Sequence, residues 1–135
     1  MVERRISRVQ EIILPVLREA LPGVLVTSWI PDVDRRSYPL VNIRKVGGIP
    51  VDMDVLDRQT IELQAIGNES LAATENLFYD ARYVIWEMVK NQTVTPAGHL
   101  HSFTDSSGAM QLESPYTDTW RIQGLIQLGV RPPQS

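Results

Sequence analysis

The chain contains no cysteine in 135 residues, which excludes disulfides, thiolate metal ligands and cysteine nucleophiles, so packing alone must hold the fold. It also lacks any uninterrupted apolar run near the roughly 20 residues that a bilayer span requires, and no membrane role is expected. Met1 to Arg8 is charged, and Glu11 and Pro15 interrupt the apolar stretch that follows; this is not a signal-peptide pattern, and the chain is expected to stay in the cytosol of the cell that makes it. An excess of positive charge is missing too. Thirteen Lys and Arg against sixteen Asp and Glu leave a net charge of -3, and the basic residues are dispersed, which argues against a grip on nucleic acid.

The signatures of catalysis are equally sparse. Gly47 and Gly48 stand without the Lys-Ser/Thr of a phosphate-binding loop, and no Gly-x-Ser-x-Gly nucleophile elbow occurs. His99 and His101 share one strand face, but zinc would need further ligands, and Asp105 and Glu113 lie outside that strand in no recognisable pattern. Asp52, Asp54 and Asp57 lack the glycine and the closing Glu of a calcium loop. No catalytic residue, cofactor or metal ligand is assigned, and the chain is read as a non-enzyme.

What is present is periodicity. From Thr119 to Val130, the residues Trp120, Ile122, Gly124, Ile126, Leu128 and Val130 alternate with a mostly uncharged polar set that includes Gln123, Leu125 and Gln127. Period two sustained over this length predicts one long strand crossing a whole sheet, its second face poor in charge as interface cores are. Ile6, Val9, Ile13, Val16, Leu17 and Leu21 recur at helical spacing and predict an amphipathic helix over about Glu3 to Leu21, kinked or split at Pro15. A second helix of roughly 20 residues is predicted from Leu71 to Asn91, capped by Asn68 or Ser70, with Thr74, Phe78, Ala81, Ile85 and Met88 in one stripe. Trp29, Trp86 and Trp120 read most simply as core.

Val24 to Trp29 and Leu40 to Val46 read as two strands joined by a charged exposed turn, and Gly47 to Asp57 as a loop. A third strand follows from Arg58 to Gly67. His99 to Phe103 reads as a strand, Asp105 to Gly108 as a polar tip, and Met110 to Glu113 as a returning hairpin arm. The fold class is therefore α+β: residues 1–135 form a single domain, with about five strands in one mostly antiparallel or mixed β-sheet packed against two main helices. A chain of this length buries about two thirds of its unfolded surface and holds one core without staples. Long loops on so small a domain are where contacts are made. The candidate interface residues are accordingly Asp32, Asp34, Arg35, Arg36 and Tyr38 in the first loop, Asp52 and Asp54 in the second, and Asp105 and Tyr116 in the third region.

The order of elements resembles the tail terminator proteins, also called tail completion or minor tail proteins, of long-tailed bacteriophages, and in style those of phages that infect actinobacteria. The residues that carry this are Val16 to Val26 with Pro22 and Gly23, the strand Asp57 to Gly67, the helix Ala72 to Val89, and the closing Tyr116, Thr119, Trp120, Arg121, Gln123 and Gly124 with the run to Val130. The resemblance implies a non-enzymatic virion protein, assembled in the host cytoplasm, that forms a homo-oligomeric ring, expected to be a hexamer, on the head-proximal end of the tail. Its implied partners are its own copies, the major tail tube protein and a head-completion or neck protein, with DNA passing through the lumen without specific binding. The alternatives are another neck or tail-tube component, or a small cytosolic ligand-binding α+β domain, which would show a deep pocket with convergent polar groups.

Overall fold

The computed structural model describes residues 8–52 and 56–132, with the backbone alone for 48–52 and 56. The element order is α1 (Val9–Ala20), β1 (Leu25–Thr27), β2 (Leu40–Asp52), β3 (Leu56–Gly67), α2 (Leu71–Lys90), β4 (His99–Leu112) and β5 (Trp120–Arg131). The strands form one five-stranded mixed sheet in the order β1-β2-β3-β5-β4, and the α+β expectation holds. The part of the predicted first helix before Arg8 lies outside the described residues.

Both helices cover the same face of the sheet. Val9, Ile12, Ile13 and Leu17 of α1 join Leu77, Phe78, Ala81, Ile85 and Met88 of α2 in one buried cluster with Val26, Val41, Ile43, Ile61, Leu63, Ile122, Ile126, Leu128 and Val130. The period of 3.6 on the helices and of 2 on the strands thus meet in one layer. At Gly124, an added Cβ would lie 2.8 Å from Cζ of Phe78, so this glycine lets the largest core ring settle directly on the strand.

α1 is a single helix with Pro15 inside it, which rules out the split among the two readings at that proline; the proline is exposed, and complete burial of the opposite stripe offsets its lost hydrogen bond. Three sequence expectations are corrected. β1 pairs with β2 in parallel, Leu25 beside Leu40 and Thr27 beside Asn42. Residues 28–39 are therefore a crossover rather than a hairpin turn. The supposed loop at 47–57 is largely a β-ribbon, since β2 continues to Asp52 and pairs out to Leu56, with register shifts at Lys45/Gly47 and Pro50/Asp52.

The third correction concerns β4. Asp105, Ser106, Ser107 and Gly108 form no hairpin tip; the strand runs from His99 to Leu112 against β5, and three register shifts take up the extra residues. Bulges of this kind bend an edge strand and blunt its exposed hydrogen-bonding row. α2 keeps its predicted bounds, and Ser70 is its cap: Oγ accepts a hydrogen bond from the Ala73 amide at 3.0 Å.

Candidate functional site

On the face without helices, the register aligns Thr27, Asn42, Gln64 and Gln123 across β1, β2, β3 and β5. The Thr27 hydroxyl donates to Asn42 Oδ1 at 3.2 Å and Gln64 Nε2 to Gln123 Oε1 at 3.5 Å. Beside this row, Arg44 and Glu62 form a cross-strand ion pair at 3.0 Å. Trp29, Ile30, Tyr116 and Arg121 wall the end of the row into an open groove of about 540 Å³. Alternation in the last strand correctly anticipated this polar, nearly neutral face.

The loop residues 28–39 behave as two groups. Asp32, Val33, Asp34 and Arg35 are exposed, and the Arg35 amide closes a turn on the Asp32 carbonyl at 2.9 Å. Arg36 instead turns inward. Its Nε and Nη2 donate to the Pro31 carbonyl at 3.1 and 3.0 Å, and its guanidinium lies 4.0 Å from the ring centroid of Tyr116. Arg36 therefore ties the first loop to the turn before β5, bringing two of the predicted interface residues together. Tyr38 is half-buried and lines a different cleft, with Gly67, Glu69, Leu77 and Asp80.

Asp105 sits on β4 and pairs with both Nε and Nη2 of Arg82 from α2. That bond is the main cause of an upward shift in the Arg82 pKa, opposed by burial. The same guanidinium lies 5.2 Å from the Phe103 ring. Asp105 thus clamps a helix to the edge strand rather than leading a free tip. Asp52 pairs through its backbone with Leu56, while Asp54 lies outside the described residues.

The sequence reading missed the outer side of α2. Trp86, expected in the core, is partly exposed, and with Tyr79 and Tyr83 it forms a solvent-facing stripe; Trp29 is exposed as well. At about 100° per residue, positions 79, 83, 86 and 90 fall within about 60° of one another and opposite the buried stripe, so the signal was present in the helical spacing. The rings of Tyr83 and Trp86 lie 5.8 Å apart, and the Lys90 ammonium stands 5.1 Å from the Trp86 ring. Tyr79 adjoins Ala109, Met110 and Gln111 of β4. Exposed Tyr and Trp clusters are the residue types that dominate binding energy at protein interfaces.

Among the described residues no group of three or more His, Cys, Asp or Glu could hold a metal ion. Burial lowers the pKa of His99, with Arg131 and then His101 adding to the effect, and its Nδ1 has no hydrogen-bond partner among the described residues. A cleft of about 890 Å³ is open to solvent between Arg18, β1 and the loop from Trp29 to Arg35. Among the described residues no helix is long and apolar enough to cross a membrane.

A family profile described as phage tail termination protein matches residues 5–135. The Gene 22 protein of Mycobacterium phage D29 is 44% identical over 132 residues, covering 95% of each chain. The Gene 22 protein of Mycobacterium phage L5 is 44% identical over 135 residues, covering 97% of each. Among solved structures, a chain of the virion of a native gene transfer agent particle shares the fold with a TM-score of 0.53 and 15% identity, over 86% of this chain and 84% of that one.

Proposed function

The chain belongs to the phage tail termination protein family and is a structural component of a phage virion, and from that premise we propose that it closes as a ring on the head-proximal end of the tail tube. The ring ends tube polymerisation and offers the surface to which a head-completion or neck protein attaches. A hexamer is the stoichiometry proposed. The observation that carries this reading is the family match over nearly the whole domain. It is supported by a domain whose surface carries exposed aromatic side chains on a loop and on the outer side of α2.

The physics of termination is closure. A contact that joins one patch to a different patch on the next copy grows without limit unless its rotation brings the last copy back to the first. The exposed loop 31–37 and the β2–β3 ribbon are proposed to meet neighbours or the tube, and the region 104–118 to meet the other axial partner. A net charge of -3 suits a lumen through which DNA slides without being held.

Light scattering after size exclusion, across a concentration range and with tube ends added, tests the proposal. A discrete ring-sized species, free or on the tube, is expected; open cylinders formed by this protein alone would identify a tube component instead. Replacing Asp34 and Arg35 by Ala is the cleaner probe of the first loop, because Arg36 shapes the loop itself through Pro31 and Tyr116. Unchanged ring formation and tail joining in that double variant would remove those charges from the contact.

A further inference from the structure

Resting on the ring reading, the geometry points to one contact between successive copies. The loop after β1, led by Trp29 and Val33, seats on the outer aromatic stripe of α2 in the next copy, formed by Tyr79, Tyr83 and Trp86.

Each half of this contact is exposed in a single copy. Trp29 is 64% and Val33 80% exposed on the loop, and Tyr79 and Tyr83 are 52% and 55% exposed on the helix. The two halves also lie on opposite faces of the sheet. Trp29 lines the groove on the helix-free face with Gln64, Gln123, Tyr116 and Arg121, whereas the outer side of α2 lies beyond the other face, over β3, β5 and β4. Two different patches on one domain are what a head-to-tail contact needs, and a two-fold dimer would need only one.

Charge at the Lys90 end of the stripe favours a second copy as the occupant. Asp32 and Asp34 flank Val33, and among the described residues neither forms an ion pair. Lys90 ends the stripe, its ammonium over Trp86, and it too has no carboxylate partner among the described residues. Docking the loop along the stripe gives the unpaired lysine a carboxylate while burying Trp29 and Val33 among aromatic rings. The loop is already shaped for this by the Asp32–Arg35 turn and the Arg36 clamp on Pro31 and Tyr116. Little ordering entropy then remains to be lost on binding.

The absence of cysteine makes the test direct. Two single variants, Val33→Cys and Tyr83→Cys, are prepared, one with a mass tag, then mixed and treated with a short bis-maleimide. The expected product is the mixed dimer in excess over either homodimer, and the double variant should give a covalently closed ring. Tyr83→Asp should weaken self-association by about tenfold or more, with an unchanged melting curve to show that this exposed position leaves the fold intact.

Four outcomes overturn the contact. Homodimers alone, or no cross-link within a ring-sized species, would mean that other surfaces close the ring. A Tyr83→Asp ring that assembles normally but fails to join tube or head would assign the stripe to an axial partner. If the unmodified protein forms no ring either in solution or on tube ends, the ring reading fails first and this contact fails with it.

Discussion

The inner side of α2 presents Leu77, Phe78, Ala81, Ile85 and Met88, all buried against the sheet, whereas its outer side presents Tyr79, Tyr83 and Trp86 to solvent. Both sides are rich in large apolar side chains, yet they differ in kind. The inner residues include aliphatic side chains and one ring that interlock in a dry layer, and close packing makes each methylene count. The outer residues carry a hydroxyl or an indole N–H at the end of an apolar body, which lets them stand in water and still bury well against a partner. One helix thus holds the fold with one side and exposes an aromatic surface with the other, and composition alone does not separate the two.

Substitutions graded by depth test this separation. Phe78→Ala should break the inner side, costing about 3–5 kcal/mol and lowering the melting temperature by roughly 10–20 °C. Gly124→Ala, which places a methyl 2.8 Å from the Phe78 ring and 3.2 Å from the Ser107 carbonyl oxygen, should cost about 1–3 kcal/mol through strain; urea unfolding would measure it. Ser70→Ala removes the cap of the helix and should cost about 1 kcal/mol, read by the same titration. At the boundary between the two sides, a double-mutant cycle on Arg82 and Asp105 should return about 0.2–1 kcal/mol, because both side chains are about one third exposed. Tyr79→Ser, on the outer side, should change stability by no more than about 0.5 kcal/mol. A loss there as large as that of Phe78→Ala would abolish the distinction.

The same distinction governs what could be read from the sequence. α2 and β5 were legible because their apolar stripes are long and each keeps one period. The outer stripe of α2 is easily overlooked because Trp86 is a large apolar residue beside Ile85 in the chain and invites assignment to the core, although its helical angle places it with Tyr79 and Tyr83. β4 was broken in two because Ser106, Ser107 and Gly108 are turn-forming residues; register shifts on an edge strand accommodate them without a turn. The ribbon from Gly47 to Asp52 resembles a loop in its sequence for a related reason. β1 covers β2 only as far as Asn42, so beyond that point β2 has a free edge where Gly and Pro are tolerated. The parallel pairing of β1 was hidden because its crossover carries Pro31, Asp32 and Asp34, which mimic a hairpin turn. Of the interface residues named from sequence, Asp32, Asp34 and Arg35 are exposed on their loop. Arg36, Asp105 and Tyr116 instead engage their own chain, because local charge patterns do not reveal which partners folding will bring near.

The position of β5 inside the sheet has a consequence in time. β3 and β4 are not neighbours; each pairs with β5, which follows both in the chain. At about 5–20 residues per second of synthesis, several seconds separate the emergence of β3 from that of its later partner. Until β5 inserts, α2 has no Ile122, Ile126 or Leu128 beneath it, and neither its inner nor its outer side is presented in a fixed orientation. A nascent chain that lacks β5 is therefore unable to display the finished aromatic surface, and completion of the subunit waits on its last strand.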